Sequence, residues 1–387
     1  MAFSGKSTFS AGATLPEIVE DVSDLVSIVS PYETALLDAL GDPHRVASST
    51  RHEWMEDALL PNNDVLNEPA ISDGAFNTEE LTVGHAERFR VNDVIQAATL
   101  LEVMLVTGVN AGTSQITVAR GYGGSVKQAL SDGMELRILG SPSLEGEEAP
   151  TSRFTARQRL SNFTQIFAAG VQVSGSEAAV RQLAVQDELD YQKTNRLREL
   201  LRDLENSVLN GVAHDTTPQG SASVRRTMRG LLSTLESNRF APGVGGFSTD
   251  SALTEAGLNL AMRRVWEQAN SRVDLIVVGG AQKRRINGFV AESQRFRSDT
   301  DHFKSLISTY ESDFGICRVV LSRHMPSDAV LLLDSSRVSV LPLMGRSFQY
   351  KALAVTGDYV NGELLGEYTL ECRNEAAHGL IRGLDNT

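Results

Sequence analysis

Hydrophobic positions recur with a helical period over residues 187–211, DELDYQKTNRLRELLRDLENSVLNG. Leu197, Leu200, Leu201, Leu204 and Val208 fall three and four apart, which places them on one stripe of a helix. Arg196, Arg198, Glu199, Arg202, Asp203 and Glu205 lie between them and are expected on a solvated or subunit-facing side. Asp187 is placed to cap the start and Gly211 to close the end. The result is a long strut that carries no catalytic residue. Before it, NFTQIF (162–167) reads as a strand and Ser174-Gly175-Ser176 as a turn. After it, 216–223 reads as a loop and 225–235 opens a second domain. Residues 254–269 then predict a helix with Leu258, Met262, Val265 and Trp266 on its apolar face. The unbroken apolar run 275–278 suits a buried strand. A helix follows over 282–290. Strands are expected at 316–321 and 329–333 around the turn 324–327, and again at 350–355 and 367–372.

Upstream, the pattern differs. The first residues are rich in Ser, Gly, Ala and Thr without periodicity, an arm that orders only against a neighbour. Ile18, Val22, Leu25, Val26 and Val29 predict a short helix within 15–40, with a second near 34–40 ending at Gly41-Asp42-Pro43. Residues 52–56 read as a strand leaving the body, broken by Pro61-Asn62-Asn63-Asp64. Four short β-rich runs follow at 91–95, 103–107, 115–120 and 134–139, punctuated by glycines. In the last, Leu136 and Ile138 alternate with Glu135 and Arg137, one face buried and one wet. Such strands predict a small barrel or sandwich inserted in a longer excursion. The chain then returns through 154–167, with Gly121-Tyr122-Gly123-Gly124 reading as a tight turn.

Length and composition set the scale. The chain has 387 residues, 41% hydrophobic and 22% charged, enough for two or three ordinary globular domains. Aromatics are only 6%, so the core rests on aliphatic residues. The net charge of −13 disfavours a protein that grips nucleic acid over a large surface. The two cysteines, Cys317 and Cys372, show no metal or disulfide spacing and read as buried apolar residues in a reducing compartment. No apolar run approaches the ~20 residues of a membrane helix, and the N-terminus lacks an export signal.

Candidate chemistry is sparse. Gly5-Lys6-Ser7-Thr8 resembles the end of a phosphate loop but lacks the preceding glycine and strand. Val277-Val278-Gly279-Gly280 leads into a helix as a dinucleotide turn does, yet the third glycine is missing. That helix opens with Lys283, Arg284 and Arg285, unfavourable for the helix dipole unless they meet an anion or a neighbour. No pair of the seven histidines has the i, i+4 spacing of a helical zinc site, and there is no GxSxG elbow. Catalytic, metal and cofactor residues are therefore assigned to none. The acidic run Glu145, Glu147 and Glu148 reads by default as a solvated loop, with binding a divalent ion or pairing with Arg153, Arg157 and Arg159 of a neighbouring copy as the alternatives.

Several stretches in one order resemble the tailed-phage major capsid proteins whose fold is named after phage Hong Kong 97. They are Trp54-Met55-Glu56-Asp57 before the β excursion, NFTQIF with VSGS before DELDYQ, the strut, VDLIVVGGAQKRRINGF, VVLSRHMPSDAVLLLD, and GEYTLECRNEAAHGLIRGL at 366–384. The resemblance implies an α+β, Hong Kong 97-like fold. Its parts would be an N-terminal arm with the first helices at 1–47 and an extended loop at 48–167 holding a small all-β insertion at about 83–140. A peripheral domain would follow at 168–224 with spine helix 187–210, then an axial domain at 225–322 and return strands at 323–387. It implies a virion protein, assembled in the host cytoplasm, forming hexamers and pentamers around packaged double-stranded DNA without sequence-specific binding or membrane contact. The expected partners are other copies, a separate scaffolding protein, a portal and a decoration protein. The competing expectation is a soluble α/β enzyme using the turn at 277–280.

Overall fold

The computed structural model describes residues 33–43, 45–57, 59–67, 78–146, 148, 157–179, 187–269, 271–293, 309–354 and 357–386. The N-terminal arm, Gly5-Lys6-Ser7-Thr8, the first predicted helix, Glu147 and Arg153 lie outside those residues. Two compact units emerge, Met1–Trp54 with Arg159–Thr387, and Met55–Gln158.

Helix α1 (Ala35–Leu40) and strand β1 (Arg51–Glu56) precede the excursion. The excursion holds β2 (Asn63–Val65), β3 (Thr78–Thr82), β4 (Val94–Ala97), β5 (Val103–Asn110), β6 (Gln115–Ala119) and β7 (Glu135–Gly140). They form one antiparallel sheet in the order β2-β7-β4-β5-β6-β3. The two end strands meet through the bridge Leu66↔Val83, so the sheet closes on itself as a small barrel. Alternate residues fill its interior: Leu81, Ile95, Met104, Val106, Ile116, Val118 and Leu136 are all buried. The barrel begins earlier than the predicted 83–140, because β2 and β3 are also strands. Their sequences, NDV and TEELT, are poor in β-formers, and pairing with β7 and β6 overrides that preference. A buried ion cluster accompanies the apolar core. Arg120 donates to Glu102 through Nε (2.8 Å) and through an Nη (2.6 Å), and to Glu79. Burial pushes Glu102 upward, but the Arg120 hydrogen bonds and backbone N–H groups outweigh it and hold the carboxyl below its usual range.

In the other unit the chain re-enters through β8 (Gln158–Phe163), which pairs with β1. It continues through β9 (Gln165–Ser174), α2 (Gly175–Ala179), α3 (Glu188–Asn210), α4 (Leu231–Thr234), β10 (Arg239–Phe240) and α5 (Glu255–Ala269). Then come β11 (Leu275–Val278), α6 (Gly280–Ser293), β12 (Thr309–Ser312), β13 (Gly315–Leu321) and β14 (Val330–Leu333). Strands β15 (Val338–Pro342), β16 (Gln349–Ala352), β17 (Tyr359–Cys372) and β18 (Gly379–Ile381) complete it. A mixed six-stranded sheet has the order β10-β18-β14-β11-β13-β12. A second sheet is built on β17, flanked by β9 on one edge and by β16 and β15 on the other.

Strand β11 explains its own apolar run. Leu275 and Val277 face a core shared with α3, while Ile276 and Val278 face a second core under α5. A strand covered on both faces has no position for a polar residue. Three local expectations change. Ser174-Gly175-Ser176 enters helix α2 rather than a turn. Trp266 is half exposed (50%) beside Phe314, while Ala261 joins Leu258, Met262 and Val265 in the core. Gly211 does not close α3 in a left-handed conformation (φ −56°). It is glycine because a Cβ there would stand 2.4 Å from the Ser207 carbonyl oxygen and 2.6 Å from that of Met228. The chain at 228–230 crosses the helix end at main-chain distance, sealed by the Gly230 N–H donating to the Gly211 carbonyl (2.9 Å).

Candidate functional site

The strut is the first element of the site. Asp187 caps α3, its carboxylate accepting from the N–H groups of Leu189 (2.9 Å) and Asp190 (3.2 Å). Leu200, Leu204, Val208 and Leu209 enter the core with Phe167 and Val171 of β9. One residue corrects the expected pattern. Glu205, expected on a solvated or subunit-facing side, is fully buried within its own chain. Its carboxylate accepts from the N–H groups of Leu36 (3.0 Å) and Leu37 (3.4 Å) and from the Ser322 hydroxyl (2.8 Å). It serves as the N-terminal cap of α1, since Thr34 at the cap position makes no such bond. Burial raises the Glu205 pKa, and the three donors offset only part of that. A signal was present in the sequence: Leu201, Leu204, Val208 and Leu209 surround Glu205 at −4, −1, +3 and +4, inside the stripe rather than beside it.

The second element lies at the root of the excursion, on one face of β17. Glu367, Thr369 and Glu371 are all buried and, two apart, share that face. Glu367 accepts from the Thr164 hydroxyl (2.5 Å) and from Arg226 (2.6 Å), and pairs with Arg346 at 2.8 Å. The Thr369 hydroxyl donates to the Phe163 carbonyl (3.1 Å). Glu371 accepts from Arg45 (2.8 Å), lies 2.6 Å from His52 Nε2 and pairs with Arg373 at 3.1 Å. The His52 contact is the largest cause holding the Glu371 carboxyl below its usual range. This ladder ties β17 to the departing strand β1 and to the end of the returning strand β8. Asn162 adds a third tie, donating to the carbonyls of Arg229 (2.9 Å) and Leu370 (2.8 Å).

The predicted contact residues separate. Glu145 and Glu148 are exposed. Arg157 and Arg159 are exposed too and face acids of their own chain, Asp57 at 4.0 Å and Glu53 at 3.6 Å. The basic run does not form one surface cluster. Lys283 is buried, which pushes its ammonium below the ordinary lysine range, Arg285 stands 3.5 Å from Asp385, and Arg284 is exposed. The helix start carrying them is tied down by Gln282, which donates to the carbonyls of Ser327 (3.0 Å) and Asp385 (2.8 Å). The turn at 277–280 is occupied by the protein itself: a Cβ on Gly279 would sit 3.3 Å from the Met325 carbonyl oxygen. Both cysteines are buried, and burial pushes the Cys317 thiol up to about 11. Among the described residues no cluster of His, Cys, Asp and Glu could hold a metal ion, and no helix is long and apolar enough to cross a membrane.

Two solved structures share this architecture. A structure of Gordonia phage Cozz aligns over 98% of this chain and 98% of its own, at 10% identity and a TM-score of 0.52. The capsid asymmetric unit of cyanophage A-1(L) aligns over 96% of this chain and 98% of its own, at 12% identity and a TM-score of 0.50. At such identities the likeness is one of fold. No curated protein matches the sequence. The sequence does match the SU10 major capsid protein family over residues 3–385. That match does not support an enzyme built on the turn at 277–280. The chain belongs to the SU10 major capsid protein family: it is a structural, non-enzymatic, homo-oligomeric component of the phage virion with the Hong Kong 97-like α+β fold.

Proposed function

We propose that copies of this chain close into hexamers and pentamers that tile an icosahedral shell around packaged double-stranded DNA. The observation that carries this reading is mechanical. A 23-residue helix is locked to β9 and α1, while a separately cored excursion leaves and returns through paired strands β1 and β8. A subunit built of two separately cored units can offer several contact surfaces at once, and ring closure makes many weak contacts sufficient. In this reading the arm is 1–47, the extended loop 48–167, the peripheral domain 168–224 with 323–387, and the axial domain 225–322. The exposed Glu145 and Glu148, with Glu147, meet Arg153, Arg157 and Arg159 of a neighbour, and Arg284 offers a further basic contact. Each such exposed pair is worth ~0–1 kcal/mol, but every copy repeats it. A net charge of −13 suits a wall that encloses DNA without gripping it. A separate scaffolding protein, a portal and a decoration protein complete the particle, which assembles in the host cytoplasm. Electron microscopy and size-exclusion chromatography of the purified protein test this. Closed shells, or capsomers eluting far above 41.9 kDa, are expected. A monomer or dimer that never assembles would overturn it.

A further inference from the structure

Among the described residues strand β9 has one partner. Its ten residues pair with β17 in an unbroken antiparallel register, from Gln165↔Tyr368 to Ser174↔Tyr359. The next pair in that register, Gly175 and Asp358, is hydrogen bonded, the Gly175 N–H donating to the Asp358 carbonyl (3.0 Å). Antiparallel ladders alternate between bonded and non-bonded pairs, so the odd-numbered residues of β9 are those that bond to β17. Two neighbours agree. The Leu353 N–H donates to the Asn361 carbonyl, turning the partner of Gln172 away from β9, and the Thr164 N–H donates to Thr50, away from β17. Ile166, Ala168, Gly170 and Gln172 therefore point both N–H and C=O at the free edge. Among the described residues none of these eight groups has a hydrogen-bond partner. All four residues are exposed.

Natural sheets blunt such edges with proline, lysine, a bulge or a very short strand. Residues 165–174, QIFAAGVQVS, use none of these. The edge is flanked by open ground instead. A polar trough runs beside Ala169–Gln172 under Gln192, Arg196 and Glu199 of α3, and a second recess lies where Gln165 and Ile166 meet the loop at 219–227. Arg196 and Glu199 pair with each other, so the trough carries no excess positive charge for a nucleic acid.

We propose that the free edge of β9 receives an extended segment of a second copy of this chain, which adds a strand to the β17 sheet through Ile166, Ala168, Gly170 and Gln172. Main-chain pairing needs an extended polypeptide, and a second copy is the polypeptide that a homo-oligomeric shell supplies at every edge. This rests on the shell reading above, and the experiment separates the two. Particles assembled from this chain alone are compared with subunits dissociated from them, by residue-resolved hydrogen exchange. The amides of residues 166, 168, 170 and 172 should exchange freely in the subunit and slow by at least about 100-fold in particles, while those of 167, 169 and 171 are protected in both. In parallel, Ala168→Pro removes one edge donor and leaves the β17 ladder intact. It should cut particle yield at least ~10-fold with little change in subunit melting temperature. Even-numbered amides that exchange as fast in particles as in subunits overturn strand addition, as does a folded Ala168→Pro subunit giving wild-type yield. If that variant does not fold, the exchange pattern of the wild type decides. Wild-type protein that forms no particle overturns the shell reading, and this proposal with it.

Discussion

Replacing Glu205 tests the packing of α3 most directly, because two substitutions there should act in opposite ways. Glu205→Ala leaves the Leu36 and Leu37 N–H groups and the Ser322 hydroxyl without their acceptor, in a site closed to water. Each buried orphan costs about 1–3 kcal/mol, less for the long Leu37 contact, so the loss should be on the order of 3–5 kcal/mol. Glu205→Gln keeps an oxygen for the start of α1 and gives up the charge. Its amide then faces Ser322, whose hydroxyl can rotate to accept. That variant should stay within about 1 kcal/mol of wild type at neutral pH.

The pH dependence adds an independent check. The folded-state pKa of Glu205 is raised by burial, so between the unfolded and folded values the native state binds the extra proton. The Glu205 contribution is then greatest below the unfolded carboxylate range and is lost as pH rises through the raised folded pKa. Glutamine has no such slope, so wild type should gain on Glu205→Gln as the pH is lowered from neutral towards the unfolded carboxylate range. Taking the difference cancels every other titrating group that the two proteins share. Urea unfolding of dispersed subunits across that range supplies the numbers. If Glu205→Gln loses as much as Glu205→Ala at neutral pH, or if the difference is flat with pH, Glu205 is not a buried cap.

Leu204→Ala should cost about 2–5 kcal/mol in the same urea assay as a core truncation, and Gly211→Ala about 2–4 kcal/mol because its new methyl meets two backbone carbonyls, with helix content by circular dichroism nearly unchanged. Acid should weaken the subunit through His378, buried and lowered to about 4: its stability is full above the unfolded value near 6.5 and falls by about 3 kcal/mol as pH drops towards 4, a slope that His378→Gln should flatten in calorimetry. Glu371 adds to the same trend, since its carboxyl is lowered and the stability it supplies disappears as pH falls through its folded pKa. Replacing residues 59–156 with a short Gly/Ser linker should leave a soluble protein with a cooperative melt, because the excursion has its own core. Wholly insoluble protein would show that the remainder needs it.

The strut, the buried strand β11 and four barrel strands were legible because local pattern and burial agree there. Asp187, the 3–4 spacing and the apolar run at 275–278 each carry their meaning within one element. What escaped depends on covering by distant segments. Along β17, Glu363, Glu367 and Glu371 alternate with apolar residues and read as a wet face, yet Arg45, His52 and Thr164 cover the last two. Trp266 stands at the margin of its stripe, four residues after Met262, and periodicity alone cannot say which side of that margin is wet. Strands β2 and β3 exist only through their partners. The candidate contact residues were legible as charges, but their use depends on a second copy, which no local pattern encodes.

The buried carboxylates share a physical logic. Glu205 joins α3 to α1 and to Ser322, Glu367 joins β17 to residues 164, 226 and 346, and Glu371 joins it to residues 45, 52 and 373. Glu205 and Glu367 each sit where at least three chain segments meet, Glu371 sits where β17 meets the 45–52 stretch, and all three bind main-chain, hydroxyl or cationic donors rather than apolar surface. An aliphatic residue of similar volume could pack as well, and such exchanges are often neutral or stabilising. It could not tell one register from the next, because apolar contact is non-directional. A carboxylate with two or three fixed donors loses them all when a strand slips by one residue. The anchors at 367 and 371 therefore fix the register of β17 against residues 45–52, 164 and 226 within the body. That register is held by groups whose misplacement costs more than their correct placement gains.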